Sequence, residues 1–375
     1  MMKSYHTSAG VCVYGHSDVF FSKDFIMRVL HLMAGASQGG AEVFFERLVT
    51  GLHQKGLPQH LVIRGEEARE KRLRASGLSL STAPFWKPYF DIKTHLGIHK
   101  ALKNFQPDIV MSWMSRAGAF CPTGNFVTVA RLGGYYDLKY YKSCEYLIGN
   151  TQGIRKYFLE KGIREDKAFY LPNFVREEKA QPLSRKTYDT PENVPLLLAL
   201  GRLHDDKAFD VLIRALPKIP NAHLWIGGAG PEDEKLKSLA REMGVFDRIR
   251  FLGWVQDPYP LYAACDIYVC PSRIEPLGNV VLEAWVNEKP TVVCASKGPA
   301  ELIRNEENGL IVPLEDHDEL ATAINRILND KILSGKIVKG GLQSYHSAYS
   351  QDRVLEIYLN FFQHIIEERQ KSCAA

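Results

Sequence analysis

Residues Arg273 to Trp285 read R-I-E-P-L-G-N-V-V-L-E-A-W and set two carboxylates, Glu275 and Glu283, eight positions apart. Pro276 and Gly278 break the chain after an apolar strand, Ile267 to Cys270, and Val280 to Trp285 reads as a mostly buried helix. A helix start leaves backbone N–H groups unpaired and carries partial positive charge, and a glycine there lets a ligand come close to the backbone. Such a place can hold phosphate. Eight residues of helix would rise about 12 Å, so the carboxylates could flank whatever sits on the helix end. A nucleotide sugar has that layout, with hydroxyls at the sugar, a diphosphate, then ribose hydroxyls. A turn glutamate and a solvated helix glutamate fit the same letters.

Two cations stand in a similar position. G-R-L-H-D-D-K-A follows the strand P-L-L-L-A-L and offers Arg202 and Lys207, a pair able to neutralise a leaving diphosphate; alone, each also reads as a surface cation. Three further strand ends turn into helices or loops: G-G-A-G-P (Gly227 to Pro231), F-L-G-W-V-Q-D (Phe251 to Asp257) and S-K-G-P-A-E-L-I (Ser296 to Ile303). The glycine-rich one has neither the spacing nor the place of the dinucleotide fingerprint G-x-G-x-x-G.

The elements that would position these residues alternate along the chain. R-V-L-H-L-M, Q-H-L-V-I and D-I-V-M-S-W in the first half, and five apolar runs from Pro195 to Ala295 in the second, are short, apolar on both faces and separated by helix-like segments. That pattern predicts α/β architecture with parallel sheets in two Rossmann-like domains, with ligands off the carboxyl ends of the strands and between the domains. The expected divisions are a loosely ordered tail over 1–25, a first domain over 26–176, a polar linker over 177–193, a second domain over 194–345, and a C-terminal segment over 346–375. In the last, Val354, Ile357, Tyr358, Phe361, Phe362, Ile365 and Ile366 form an apolar stripe at helical spacing. Asp316, with Glu319 three positions on, reads as a helix cap.

At 375 residues, 45% hydrophobic and 24% charged, the chain has the makings of two globular domains. It has no run of 18 apolar residues, and residues 1–25, without a basic stretch followed by a clean apolar core, do not read as a signal peptide. Seven scattered cysteines without a C-x-x-C pair fit a reducing cytoplasm and argue against zinc. His95 and His99 lack a third ligand, no basic-aromatic repeat suits nucleic acid, and no metal site is expected. The net charge of +4 conceals a basic half: residues 1–190 carry 27 Lys and Arg against 17 Asp and Glu. The run Arg64 to Ala75 could touch anionic lipid headgroups, although its three glutamates favour a solvated helix.

The order of these motifs resembles the family-4 retaining glycosyltransferases of GT-B fold, whose pattern runs G-R-x-x-x-x-K-G, G-x-G-P, F-x-G, P-S, E-P-x-G-x-x-x-x-E-A and a glycine-rich turn with E-x-I. The likeness is dense over about residues 195–330 and thinner in the first half, where G-G-A-E (Gly39 to Glu42) carries it. It implies two domains facing across a cleft, with a C-terminal helix crossing back to the first. Arg202 and Lys207 would bind the donor diphosphate, and Glu275 would contact hexose hydroxyls. The backbone at Gly278, Asn279 and Val280 would lie near the phosphates, and Glu283 would hold the ribose. Val255, beside Trp254, would border the base, while Gly228, Gly39 and Gly40 would approach the donor. The family uses neither metal nor cofactor.

Two positions depart from the family pattern. Ala208 stands where glycine is usual, which is tolerable if φ there is negative. Arg131 lies where members often carry a histidine; an arginine cannot act as a base, but it could bind a phosphate or an anionic acceptor. Asp137 is a weaker candidate for this acceptor or phosphate site and reads more readily as a loop residue. The implied activity is transfer of a hexose from a nucleotide diphosphate sugar to a hydroxyl of a growing glycan or glycolipid. The expected setting is bacterial envelope polysaccharide or lipopolysaccharide synthesis in the cytoplasm, with peripheral contact at the inner membrane surface. Other GT-B-fold enzymes, an epimerase or a phosphorylase, and a non-catalytic nucleotide-sugar sensor are the alternatives.

Overall fold

A computed structural model describes residues 4–6, 12–14, 27–36 and 39–374. Most of the expected tail over 1–25 lies outside the described residues; within it, β1 (Ser4–His6) and β2 (Cys12–Tyr14) pair antiparallel.

Thirteen more strands form two sheets. The first holds β3 (Val29–Met33), β4 (Gln59–Arg64), β5 (Ser79–Ala83), β6 (Ile109–Trp113), β7 (Val127–Leu132), β8 (Tyr146–Gly149) and β9 (Ala168–Tyr170), in the order 5-4-3-6-7-8-9. The second holds β10 (Leu196–Leu200), β11 (His223–Gly227), β12 (Ile249–Phe251), β13 (Ile267–Cys270), β14 (Thr291–Cys294) and β15 (Leu310–Val312), in the order 12-11-10-13-14-15 and parallel throughout. All residues of β3, β6, β13 and β14 are buried, because helices cover both faces of a parallel sheet and leave no solvated side. In each sheet the order reverses once, between β3 and β6 and between β10 and β13. Two diverging crossovers leave a crevice there, at the carboxyl ends of the strands.

The chain forms two compact units. One runs to Ala130 and takes in Leu138–Glu145 and the chain from Leu355 onward; the other comprises Arg131–Asp137 and Tyr146–Val354. In the second unit the sheet is sandwiched. Leu197, Ala199, Ile226 and Val269 face one apolar core, and Leu198, Trp225, Tyr268 and Val293 the other. The expected linker, 177–193, is tied into this unit: Arg185 bonds Asp266 at 3.0 Å and the Val194 carbonyl at 2.8 Å, and Trp225 Nε1 donates to Thr190 Oγ1 at 2.9 Å.

In the first unit the last helix, Gln351–Ala374, buries Leu355, Tyr358, Phe361, Phe362, Ile365 and Ile366. Leu355, absent from the expected stripe, fits against Gly51, where an added Cβ would sit 2.9 Å from its Cδ1. Ile357 is only half-buried. Tyr358 meets Phe44 at 6.4 Å between ring centres, and Arg369 Nη1 donates to the Phe126 carbonyl at 2.7 Å. The cap at Asp316 forms as expected, accepting from Asp318 N at 3.1 Å and Glu319 N at 2.9 Å. Among the described residues no helix is long and apolar enough to cross a membrane.

Candidate functional site

The quoted motif leaves β13 at the point where the second sheet reverses its order. The helix opens at Asn279, so 276–278 form a turn and only Asn279–Glu283 of the inter-glutamate span is helical. The expected rise of eight helical residues is therefore not realised. Gly278 caps the helix at φ 89°, ψ 50°, a left-handed conformation. Its would-be Cβ meets nothing nearer than 3.5 Å, so the backbone angle, not space, demands glycine there. No side chain caps this helix, and its first N–H groups stay available to an anion.

The turn after β10 lies across the same crevice. Lys207, at the end of the short turn Asp205–Lys207, donates to Glu275 Oε2. Both side chains are largely buried. Burial opposes the lysine's charge, but the charge and hydrogen bond of Glu275 more than offset it, so Lys207 is held above the usual lysine range. The two loops are pinned together behind the pair. Ile274 N donates to the Asp206 carbonyl at 3.0 Å, and Arg273 forks onto Asp210 at 2.8 and 2.7 Å while also reaching Glu315. Hydrogen bonds first to Asp210 and then to Glu315 push Arg273 above even its ordinary range, fixing it as a permanent cation. Arg202 is exposed on the same turn.

Ala208 departs from expectation. Its φ is +51°, not negative, because the turn into the next helix needs a left-handed residue where the family has glycine. A non-glycine residue there costs about 1–2 kcal/mol.

Glu283 is oriented by a tyrosine that sequence reasoning missed. The buried Tyr262 hydroxyl lies 3.3 Å from Glu283 Oε2 and 3.0 Å from the Val280 carbonyl. Burial first, then the neighbouring Tyr268 and Glu283, pushes that phenol far above its usual range, so it stays a donor. The spacing of an aromatic residue 21 positions upstream carries no signal a single sequence could reveal.

Arg131 is buried and donates to Asn173 Oδ1; Asn173 Nδ2 in turn donates to Asn279 Oδ1 at 2.9 Å. The arginine thus connects, through one amide, to the first residue of the uncapped helix. Asn173, in L-P-N-F-V after β9, was not singled out by sequence. Asp137 is exposed in the loop after β7.

The remaining glycines have structural reasons of their own. A Cβ on Gly228 would lie 1.8 Å from the Gly201 carbonyl oxygen, so close packing of two strand-end turns excludes any side chain. Val255 lies beside Gly227, whose added Cβ would be 3.1 Å from its Cγ2, and Trp254 is exposed. In the first unit Gly39 precedes the helix Gly40–Gln54, and Glu42 folds back to accept from Ala36 N at 2.7 Å. A Cβ on Gly39 would sit 2.3 Å from Glu42 Oε2.

The family described as "Glycosyl transferases group 1" matches residues 180–343, and "Glycosyltransferase Family 4" matches residues 38–179. The chain is 33% identical to the lipopolysaccharide core biosynthesis glycosyltransferase LpsD of Rhizobium meliloti, over 92% of this chain and all of that one. It is 32% identical to LpsE of the same organism, over 89% of this chain and 98% of the relative. Among solved structures, a glycosyltransferase from Rickettsia africae superposes with a TM-score of 0.80 at 20% identity, covering 91% of this chain and 98% of the other. Anabaena HepE in complex with UDP superposes with a TM-score of 0.80 at 19% identity, covering 90% and 100%. With two parallel sheets, matches along most of its length and full-length relatives, the chain belongs to the family-4 glycosyltransferases and is an enzyme of the GT-B fold.

Proposed function

We propose that the protein transfers a hexose, with retention and without a metal ion, from a nucleotide diphosphate sugar to a hydroxyl of a growing lipopolysaccharide core or related envelope glycan. The observation that carries this reading is the Lys207–Glu275 pair beside the uncapped helix start at Gly278 and Asn279. A diphosphate on that helix start would meet backbone N–H groups and the Lys207 ammonium, with Arg202 on the same turn. Glu275, already holding Lys207, would keep one carboxylate oxygen for sugar hydroxyls, and Glu283 would take the ribose.

As the glycosidic bond breaks, negative charge grows on the departing diphosphate, and cations fixed beforehand stabilise it without reorganising. Departure on the face that the acceptor attacks lets a diphosphate oxygen take the acceptor hydroxyl's proton. Arg131, buried and relayed through Asn173, would hold Asn279 and the helix opening in place. The names of LpsD and LpsE support a lipopolysaccharide core setting and HepE's complex with UDP points to a uridine donor, which makes UDP-glucose the first to try. The acceptor would be met at the inner face of the cytoplasmic membrane.

A thermal-shift screen of UDP-, GDP-, ADP- and TDP-sugars, followed by NMR of the product's anomeric centre, tests the reading. A stabilising donor transferred with its configuration kept supports it; inversion, or binding without any turnover on lipopolysaccharide core acceptors, contradicts it.

A further inference from the structure

Among the described residues, the largest concentration of exposed apolar side chains lies in the first unit, far in sequence from every residue of the candidate site. Between β5 and the end of the next helix, Trp86, Tyr89, Phe90, Ile92 and Leu96 are 64, 95, 73, 71 and 63% exposed. Single exposed hydrophobics are ordinary, but five within eleven residues are not.

These side chains are presented by a braced scaffold. Phe85 is buried edge-on against Phe120, with ring centres 5.5 Å apart. Asp91, itself buried, caps the helix Ile92–Phe105 through Thr94 N at 3.0 Å, and also accepts from Trp86 N at 2.7 Å and Thr94 Oγ1 at 2.6 Å. Phe85 N donates to Thr94 Oγ1 at 2.8 Å, and His95 bonds the Pro88 carbonyl at 2.8 Å. Thr94, Ile98 and Ala101 face inward, and Ile92, Lys93, Leu96, Lys100 and Lys103 are exposed along the helix that follows the aromatic loop. The conformation is held while the aromatic tips are left in water.

Charge decides what covers them. Over 84–104 there are four exposed lysines, 87, 93, 100 and 103, and one acid, Asp91, which is buried and spent on the cap. A second copy would set these lysines against each other across a two-fold axis. An anionic bilayer would receive the rings at headgroup depth and attract the lysines. Trp and Tyr suit that depth, with an apolar ring and a polar tip. In the basic run at 64–75, read from sequence as a solvated helix rather than a lipid surface, Arg69 is buried and bonds Glu46 at 3.1 Å and Arg72 forks onto Glu46 at 2.8 and 2.9 Å, while the exposed Arg64, Lys71 and Arg74 are interspersed with Glu66, Glu67 and Glu70.

We propose that the Trp86–Leu96 surface, with Lys87, Lys93, Lys100 and Lys103, inserts shallowly into an anionic lipid bilayer. It deepens the proposed membrane-face setting by naming the contact, and it is testable without turnover. The full chain is sedimented with vesicles of phosphatidylcholine alone and with phosphatidylglycerol added. Binding is expected only with the anionic lipid, and Trp86→Ser/Phe90→Ser/Leu96→Ser should weaken it about tenfold or more. Lys93→Gln and Lys100→Gln should each weaken it roughly fivefold at low salt. Melting temperature and turnover on a delipidated core oligosaccharide should stay at wild-type values. Failure of wild type to sediment with anionic vesicles, equal binding by the triple variant, or a dimer that the triple variant dissolves would each overturn the surface. If vesicle binding is as expected but no donor is turned over, it is the transferase reading that fails.

Discussion

Lys207 and Glu275 stand 68 positions apart on loops that leave different strands, yet the lysine donates directly to the carboxylate at the point where the sheet reverses its order. Each neutralises the other, so neither is stranded as a buried charge before a ligand arrives. The pair should therefore behave as a unit. Glu275→Gln is expected to lower turnover about tenfold or more, and adding Lys207→Ala should cost far less than the product of the two single losses. Strict multiplicativity in that double-mutant cycle would mean that the pair is only a surface contact.

Glu283, steadied by Tyr262, should hold nucleotide as much as sugar. Glu283→Ala is predicted to weaken free nucleoside diphosphate and full donor alike by roughly 1–3 kcal/mol, through loss of charge-assisted bonds. Tyr262→Phe should reproduce a fraction of that. Calorimetry decides: unchanged affinity for the free nucleotide in the alanine variant would remove the ribose assignment.

Since fixed side chains and a helix start are assigned to the diphosphate, EDTA should leave turnover unchanged. A loss on chelation that Mg²⁺ or Mn²⁺ restores would contradict the metal-independent mechanism.

Gly278 and Ala208 occupy left-handed backbone, at φ 89° and 51°, and opposite substitutions should show it. Gly278→Ala has room for its methyl but should cost about 1–2 kcal/mol from the backbone alone. Ala208→Gly relieves a similar strain while losing a buried methyl worth about 0.8 kcal/mol and loosening the unfolded chain. Its stability should stay within about 1 kcal/mol of wild type. Denaturant titration reads both; a loss beyond about 2 kcal/mol for Ala208→Gly would show that the strain is not there.

His31 supplies a pH prediction in the first unit. It is fully buried, accepts from Trp113 Nε1 at 3.2 Å and donates to Gln59 Oε1 at 3.0 Å. Burial, only partly countered by Gln59, lowers it from 6.5 to about 3. As pH falls through 6.5 the unfolded chain takes up the proton and the folded chain does not. Stability contributed by neutral His31 is thus whole above 6.5 and drains away toward 3, at up to about 1.4 kcal/mol per pH unit. His31→Leu should flatten the acid limb of a stability–pH curve; parallel limbs would contradict the assignment.

The long apolar strands, the turn chemistry at strand ends and the order of motifs were legible in the sequence because each is a local pattern. So was the cap at Asp316, whereas the glycine at 278, expected for close approach of a ligand, is required by a left-handed φ of 89° that the letters do not show. The strands Ser79–Ala83 and Leu310–Val312 were not singled out: S-L-S-T-A carries a single large apolar residue, and three residues are too few to display a period. The residues that tune the site escaped for a different reason. Tyr262, Asn173 and Arg273 act through partners 21, 106 and 63 positions away, and only the fold sets such pairs side by side. Ala208 misled in the other direction, since a side chain that disfavours positive φ gave no warning that the turn imposes one.

The central claim is that Arg202 and Lys207 stabilise the departing diphosphate more than the bound donor, because interactions that strengthen only as charge develops raise turnover rather than affinity. Single-turnover kinetics with saturating donor, set beside calorimetric donor affinity, test it most directly. Arg202→Ala and Lys207→Ala should each slow transfer about 10²- to 10³-fold, on the order of 3–4 kcal/mol, with much smaller changes in Kd. Arg202→Lys should recover only part, since an ammonium lacks the planar fork. Turnover within about threefold of wild type in both alanine variants would make these residues ordinary surface cations and contradict the account.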